Sequence, residues 1–600
     1  MAHQLLSERE INFLLYEFLD TEALIKRPRY SDHSREIFDA TLNTAHTIAE
    51  KFFANHNAKG DANEPSFDGK TVSVIEETKA SWNAFAEAGF LAAHCDAEEG
   101  GLQLPEVILR TALAYMAAAN IASASYPFLT IGAANLVRTF ASDSLKEKFL
   151  AQMLDGRSAG TMALTEPDQG SALSDIRTSA TPTEDGTYRI HGQKMYISGG
   201  DQNLTDNIVH LVLAKIKGAP AGVRGISLFL VPKYLVDESG RPAERNDVKL
   251  AGLLHKMGYR NTTSTVLNFG EEEGAIGYLI GEPHCGLKYM FQMMNEARIS
   301  VGAGASVLGY QGYTYSLDYA KGRPQGRLPS NRDPESKQVP IVQHADVRRM
   351  LLIQKAYAEG GLCLSIFATS LYEDEQTAAT KEQRHHAATL LDLLTPVVKS
   401  WPSKYCLKAN ELAIQVLGGS GYIREYPVEQ MYRDNRLNAI HEGTEGIHAL
   451  DLLGRKVPAK NLAGYQLLQA EIRNTVMQAR DKPKLESMAK ALEKALEKLD
   501  ETSFALFNQL QEDVDRGLGN ATLYLDLFGC IVVAWMWLKQ AIIAEKALET
   551  VPDGDAQDYY QGKLHTAKYY FEWELPKTDT AIALLKSGNP IPFDMQENWF

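Results

Sequence analysis

The chain has 600 residues, too many for one ordinary hydrophobic core, so length alone points to about four domains of ~150 residues or fewer large ones. Its 44% hydrophobic and 23% charged residues are the balance of a soluble globular protein, not of a disordered or fibrous one. A net charge of −15, from 61 basic and 76 acidic residues, argues against a nucleic-acid footprint and leaves room for local basic sites that hold an anionic ligand.

The N-terminus, Met1-Ala-His-Gln-Leu-Leu-Ser-Glu, has no basic region followed by an apolar core and does not read as a signal peptide. Ser7-x-x-Glu10 reads as a capping box with Leu6 stapled onto Ile11, and Phe13, Leu14, Phe18 and Leu19 recur at helical spacing. From Thr161 the pattern becomes that of strands. Asp185-Gly186 separates Thr178–Thr183 from Thr187–Ile190, a hairpin signal, and a second turn is expected at His191-Gly192 before Met195–Ser198. Ile208–Ala214, Ile226–Val231 and Thr262–Phe269 follow as strands. Helical spacing returns at Gly286 and runs to Gly454, interrupted by a long loop over Gly322–Val339, rich in Pro, Gly, Arg and Ser. After Pro458 the chain reads as helix, with Leu485, Met488, Leu492, Leu496 and Leu499 forming a bundle seam and Glu486 placed to pair with Lys490.

The expected organisation is therefore an N-terminal helical domain over 1–158, a middle β domain over 159–286, a helical bundle over 287–457 and a further helical domain over 458–600. Strands do not alternate with helices, which excludes a doubly wound sheet. The most apolar run, Leu527 to Leu538, is too short for a bilayer and reads as a buried helix, so no transmembrane segment is expected. Cys95, Cys285, Cys363, Cys406 and Cys530 are scattered, as in a reducing compartment without a disulfide framework, and a cytoplasmic location is expected.

Several chemistries drop out. Gly302-Ala-Gly-Ala-Ser-Val307 fails the dinucleotide fingerprint at its last position and lies in a helical stretch, where small residues allow close helix packing. His385 and His386 are adjacent and diverge on a helix, and no metal-ligand spacing is present. Gly419-Ser-Gly421 lacks the spacing of a nucleophile elbow. What remains is Thr161–Ser171 and Lys194–Gly200, which flank the first hairpin and whose amides and hydroxyls suit a flat polar ring system. With them goes Ile440-His-Glu-Gly-Thr444, a carboxylate on a turn between two amphipathic stretches.

From about residue 80 to 456 these stretches resemble the acyl-CoA dehydrogenase family. The resemblance is carried by Met162-Ala-Leu-Thr-Glu-Pro-Asp-Gln-Gly-Ser171, Ile190-His-Gly-Gln-Lys-Met-Tyr-Ile-Ser-Gly-Gly200 and Arg298-Ile-Ser-Val-Gly-Ala. Gln415-Val-Leu-Gly-Gly-Ser-Gly-Tyr422, Glu425-Tyr-Pro-Val-Glu429, Arg433-Asp434 and Ile440-His-Glu-Gly-Thr444 complete it in the same order. The length beyond residue 456 resembles the long bacterial branch with an extra C-terminal helical domain. The resemblance implies a mainly α fold with a central β-barrel domain between two helical domains, and FAD between the β domain and the second bundle. It implies that Met162, Leu164, Thr165 and Ser171 contact the flavin, with Ser171 also near substrate, and that Tyr196 and Ser198 pack on and hydrogen-bond the isoalloxazine. Arg323, Gln415, Gly418 and Gly419 would reach the ADP portion of a neighbouring subunit's FAD, and Thr444 would also contact the cofactor. Arg298 and Gly443 would stand on the substrate side.

Glu442 would be the base that removes the proton α to the thioester, with hydride passing from the β carbon to flavin N5. Its own backbone N–H and a ribityl hydroxyl would polarise the thioester oxygen. A buried carboxylate with a pKa near ~6–7 suits that task. Glu445, one helical turn away, would aim elsewhere. The implied product is a trans-2-enoyl-CoA from a medium- or long-chain fatty acyl-CoA, with electrons leaving to an electron-transferring flavoprotein and at least a homodimer. A thioether-bearing acyl group, an oxidase and a non-catalytic acyl-CoA scaffold are the alternatives. Three departures bear on the ADP side: Gly446 stands where the family often has Gln, no aromatic follows Arg323, and the Gly322–Val339 loop is long.

Overall fold

A computed structural model describes residues 5–237 and 240–600. They fall into two compact units. One is Asp32–Ala297; the other joins the chain's first residues, up to Ser31, to Arg298–Phe600.

The first unit places helices, among them Arg35–Ile48, Glu76–Glu87 and Glu106–Phe140, ahead of an eight-stranded sheet. Its strands are β1 (Ser158–Ala163), β2 (Ser179–Pro182), β3 (Tyr188–Ser198), β4 (Asn207–Ile216), β5 (Ile226–Pro232), β6 (Val248–Leu253), β7 (Ser264–Phe269) and β8 (Ala275–Ile280). The order is β6-β7-β3-β8-β5-β4-β1, and β2 pairs both β3, antiparallel, and β4, parallel. Those two pairings close β2, β3, β8, β5 and β4 into a ring, so the block is barrel-like, as the fold-level resemblance implied.

Period-2 alternation then sets two cores. On β4, Val212 and Ala214 join Ile190, Phe229, Val231 and Phe269. Val209, Leu211 and Leu213 face the other way, against Ala133, Leu136 and Val137 of the helix Glu106–Phe140. Because both faces are buried, β4 reads in sequence as a continuous apolar run.

The expected Asp185-Gly186 hairpin is present, with Gly186 at φ +82° and the Thr183 N–H donating to the Thr187 carbonyl at 3.0 Å. The second turn at His191-Gly192 is not. β3 continues through it, pairing with β8 over Tyr188–Ile190 and with β7 from Gly192 onward. Gly192 marks the change of partner, at φ +155°, where a Cβ would lie 2.5 Å from the Thr178 hydroxyl. β1, β6 and β8 were not legible, and β1 joins β4 in parallel, a pairing that leaves no hairpin signal.

In the second unit, helices Ala345–Thr377, Lys381–Leu417 and Val428–Asn438 pack with the part of the long helix Gly286–Gly322 that follows Ala297. The small residues of that helix do permit close approach: a Cβ on Gly302 would meet the Val398 carbonyl oxygen at 2.0 Å, and one on Gly309 the Cys406 Cβ at 2.7 Å. The expected loop is present from residue 323, Gly322 closing the helix, and is drawn shut at its neck. The Gln325 N–H donates to Val339 and the Ile341 N–H to Arg323, both at 2.9 Å.

Beyond Pro458, helices Ala459–Arg480, Glu486–Glu512, Ala521–Ala547 and Asp555–Tyr569 follow. The five-residue seam from Leu485 to Leu499 is buried, and Glu486 pairs with Lys490 at 2.5 Å. The apolar run Leu527–Leu538 belongs to a 27-residue helix, long enough to cross a membrane. So is Glu106–Phe140, at 35 residues, but 83% of the apolar window of each is buried inside the protein. Ser7 caps the first helix as expected, whereas the Glu10 carboxylate turns away from the capping box and accepts from the buried Lys563 ammonium at 2.5 Å. Lys563 also donates to Glu359 at 2.9 Å. All five cysteines are free.

Candidate active site

Glu442 sits on a tight turn between two helices of the second unit. After Val428–Asn438, the N–H groups of Ile440 and His441 both donate to the Leu437 carbonyl, which ends that helix. The backbone then enters the left-handed region twice, at Glu442 (φ +55°) and Gly443 (φ +96°), before helix resumes at Glu445. A non-glycine residue in that region is strained by ~1–2 kcal/mol, so the surroundings must hold it.

Two buried side chains do so. His448 Nε2–H donates to the Glu442 carbonyl at 3.0 Å, and Lys399 Nζ donates to the Gly443 carbonyl at 2.6 Å. His448 is held as the neutral imidazole, its pKa pushed down to about 3 by burial and by the charges of Lys399 and Arg298. Among the described residues the Glu442 N–H has no partner.

The Glu442 side chain is half-buried. Burial pushes its carboxyl up to about 7, against the opposing pull of Arg298 and Lys399. Arg298 is buried and faces Asp451 as well as Glu442. Glu445 is aimed elsewhere, 3.4 Å from Lys404, which also pairs with Asp526 at 3.3 Å. The turn thus presents a carboxylate whose charge is costly to bury yet kept within reach of neutral pH by two cations. That is the property a general base needs.

The strand-end group belongs to the first unit. Leu164 and Thr165 follow β1, and their carbonyls are both fixed, Leu164 by the Lys194 ammonium at 2.8 Å and Thr165 by the Met195 N–H at 2.9 Å. Lys194 is fully buried and also donates to Glu166 at 3.0 Å. Glu166 accepts in addition from the N–H and hydroxyl of Thr178 and the N–H of Arg177. Burial would raise the Glu166 carboxyl, but the Lys194 charge and these bonds outweigh it and hold it below the ordinary carboxylate range.

Opposite, β3 carries a β-bulge. Lys194 pairs with Leu267 and Ile197 with Thr265, so Met195 and Tyr196 together face Val266. Bulges re-aim side chains, and here Tyr196 stands at φ +59° with 64% of its surface exposed. The hydroxyls of Thr165 and Ser198 are half-buried and have no partner among the described residues. Half-buried donors beside a proffered aromatic ring fit a flat, polar heteroaromatic such as an isoalloxazine. Met162 and Leu164 pack at the edge of the adjoining core, and Ser171 is exposed on the loop that follows.

A third group lies at one end of the bundle. Gln415 is exposed on the last turn of Lys381–Leu417, and Gly418 (φ +60°) and Gly419 follow with open space where a Cβ would stand. The Tyr319 hydroxyl donates to Ser420 at 3.4 Å, which brings the exposed Arg323 to the same end. Thr444 is exposed beside the Glu442 turn. No cluster that could hold a metal ion is present among the described residues, and His386 instead faces Glu471 at 3.4 Å.

Sequence reasoning did not single out Lys194, Lys399, Glu166 or His448. Lys194 and Lys399 have partners 28 and 44 residues away, and the available signal was chemical: lysines placed within buried strand or helix patterns require a partner.

Matches to known families cover most of the chain. The acyl-CoA dehydrogenase N-terminal, middle and C-terminal domains match residues 38–157, 161–271 and 284–457, and an acetyl-CoA dehydrogenase C-terminal-like domain matches 468–596. A 3-methylmercaptopropionyl-CoA dehydrogenase of Ruegeria pomeroyi is 34% identical over 97% of this chain and 99% of its own. A broad-specificity linear acyl-CoA dehydrogenase of Mycobacterium tuberculosis is also 34% identical, over 96% of each chain. Among solved structures, an acyl-CoA dehydrogenase of Bacillus anthracis complexed with FAD shares the fold with a TM-score of 0.74 at 20% identity, over 92% of this chain and 88% of that one. Full-length identity of this order, together with four domain matches in family order, shows that the chain belongs to the acyl-CoA dehydrogenase family.

Proposed function

We propose that the chain oxidises a linear acyl-CoA thioester, of medium or long chain, to the trans-2-enoyl-CoA, with Glu442 as the base. The observation that carries this reading is the Glu442 turn: a half-buried carboxylate raised to about 7, strained in backbone and braced by two buried side chains. FAD, when bound, would supply the acceptor for the hydride that leaves the β carbon. Glu442 takes the α proton, and its N–H is available to hold the thioester oxygen as negative charge develops there. Thr165 and Ser198 would donate to its ring system, Tyr196 would pack on it, and Met162, Leu164 and Ser171 would line its surroundings. Ser171, Arg298 and Gly443 serve the substrate side.

Arg323, Gln415, Gly418, Gly419 and Thr444 serve the rest of the cofactor, the first four across subunits, so the enzyme is at least a homodimer. Electrons pass on to an electron-transferring flavoprotein, the location is cytoplasmic, and the chain divides functionally at residues 158, 286 and 457. A second reading, a thioether-bearing acyl-CoA as substrate, is supported by the likeness to the Ruegeria enzyme.

Anaerobic titration of the purified protein with acyl-CoAs of graded length and with 3-methylthiopropionyl-CoA, followed at the visible flavin band, tests both. Bleaching by one class names the substrate, and a colourless protein that cannot be reconstituted with FAD would refute the reading. Glu442→Gln should slow bleaching by ~10²–10⁴-fold and leave FAD bound.

A further inference from the structure

The reading above names Lys399 as a brace of the Glu442 turn and leaves open what its charge does there. It lies in the helix Lys381–Leu417 between Pro396 and Pro402, within the apolar sequence Val397-Val398-Lys399-Ser400-Trp401, and is fully buried. An ammonium in that setting is costly unless it is paired or hydrogen-bonded. Its one bond fixed by geometry runs to the Gly443 carbonyl, at 2.6 Å. That carbonyl is adjacent to Glu442, at the second of the two left-handed residues.

The charged and titratable groups around Glu442 come from four helices and its own turn. Arg298 comes from Gly286–Gly322, Lys399 and Lys404 from Lys381–Leu417, and Asp526 from Ala521–Ala547. Glu445, His448 and Asp451 come from Glu445–Asp451, Arg455 follows that helix, and His441 lies on the turn. Lys404 is occupied with Glu445 and Asp526, Arg298 is shared with Asp451, and both histidines are neutral near pH 7. Arg298 also acts on the Glu442 carboxylate, and Lys399 both acts on it and bonds the turn itself.

We propose that Lys399 is a positioning residue for Glu442: its ammonium pins the strained turn through the Gly443 carbonyl and sets an opposite charge beside the carboxylate that must be ionised to act. The inference rests on the reading of Glu442 as the base. Burial lowers Lys399 itself to about 8, so it remains largely charged where the base works.

The test uses FAD-loaded full-length protein, reduced anaerobically by octanoyl-CoA, or by 3-methylthiopropionyl-CoA if that bleaches the flavin faster. The rate is followed from pH 5.5 to 9 in the wild type, Lys399→Met, Lys399→Gln and Lys399→Arg. Met removes both bond and charge, Gln keeps a donor without charge, and Arg keeps charge. The acid midpoint of flavin reduction should move up by about one pH unit or more in Met and Gln, as loss of a neighbouring opposite charge requires. It should stay near the wild-type value in Arg. The shift costs about fivefold in rate at pH 7 and approaches tenfold below pH 6, most of it recovered at high pH in Gln.

An unmoved midpoint in flavin-replete Met and Gln variants, or an equal loss at every pH, would overturn the proposal. So would loss of fold and flavin in both, which would assign Lys399 to the core alone. Glu442→Gln run in parallel separates the two claims. If it reduces flavin at the wild-type rate, the base assignment fails; if it is inactive while the Lys399 midpoints stay put, only the positioning role fails.

Discussion

The most exacting perturbation of the Glu442 turn leaves Glu442 in place. Gly443 has φ +96°, and a Cβ there would lie 2.8 Å from His448 Nε2, the atom that donates to the Glu442 carbonyl. Gly443→Ala therefore carries two costs. Left-handed backbone at a non-glycine residue costs ~1–2 kcal/mol, and displacing the imidazole loses a hydrogen bond of ~1 kcal/mol. The native turn can shed this ~2–3 kcal/mol by relaxing, which withdraws the carboxylate from its working position. At ~1.4 kcal/mol per decade the working population falls by ~30–140-fold.

The assay is anaerobic stopped-flow bleaching by a saturating acyl-CoA, with FAD content and melting temperature measured alongside. Gly562→Ala, on the helix Asp555–Tyr569 with open space at its Cβ, is the control and should bleach at the wild-type rate. FAD should stay bound in both. A Gly443→Ala protein that bleaches within about threefold of wild type, a difference of only ~0.6 kcal/mol, would refute the claim that this backbone geometry is what places the base.

Two further outcomes follow from the same geometry. Because the Glu442 carboxyl is raised to about 7, kcat/KM should rise with pH through a midpoint near that value, and a pH-rate profile with an acid midpoint near an ordinary 4.5 would contradict it. The linkage has the opposite sign for folding: the native state holds this proton more tightly than the unfolded chain, so Glu442's contribution to stability declines as pH climbs from about 4.5 through 7. Lys194→Met removes the cation from a buried pair and leaves Glu166 uncompensated, a loss of ~3–5 kcal/mol. It should lower the melting temperature and the flavin-to-protein absorbance ratio together, because Lys194 also fixes the Leu164 carbonyl beside Thr165.

How far the molecule was legible depended on the range of the forces involved. Local rules found the Asp185-Gly186 hairpin, the strands β4, β5 and β7, and the seam from Leu485 to Leu499, because backbone sterics and side-chain period act over a few residues. They failed at His191-Gly192. There glycine serves a change of strand partner within β3, and the partners, β7 and β8, lie some 75–85 residues further along the chain. They failed also for β1, whose parallel pairing to β4 leaves no turn between them to read. Glu442 was found through its motif, but the strain at its backbone and the Lys399 pin on the Gly443 carbonyl were not, since Lys399 and Gly443 are 44 residues apart.

The same blindness hid Lys194 and Lys563, whose carboxylate partners Glu166 and Glu10 are 28 and 553 residues away. Yet Lys399 and Lys194 share a trait that the residue order itself displays. Val397-Val398-Lys399 sits in an apolar helix, and Lys194 shares an inward face with Ile190 in a strand. A cation at such a position has no water to hold it, so it must have a fixed partner elsewhere in the fold. In this chain those partners, Gly443 for Lys399 and Leu164 with Glu166 for Lys194, adjoin residues proposed to do the chemistry. The apparent defect in the hydrophobic pattern was thus a sharper pointer to the site's supports than the pattern itself, for a buried charge fixes its acceptor in a way that apolar packing, being non-directional, does not.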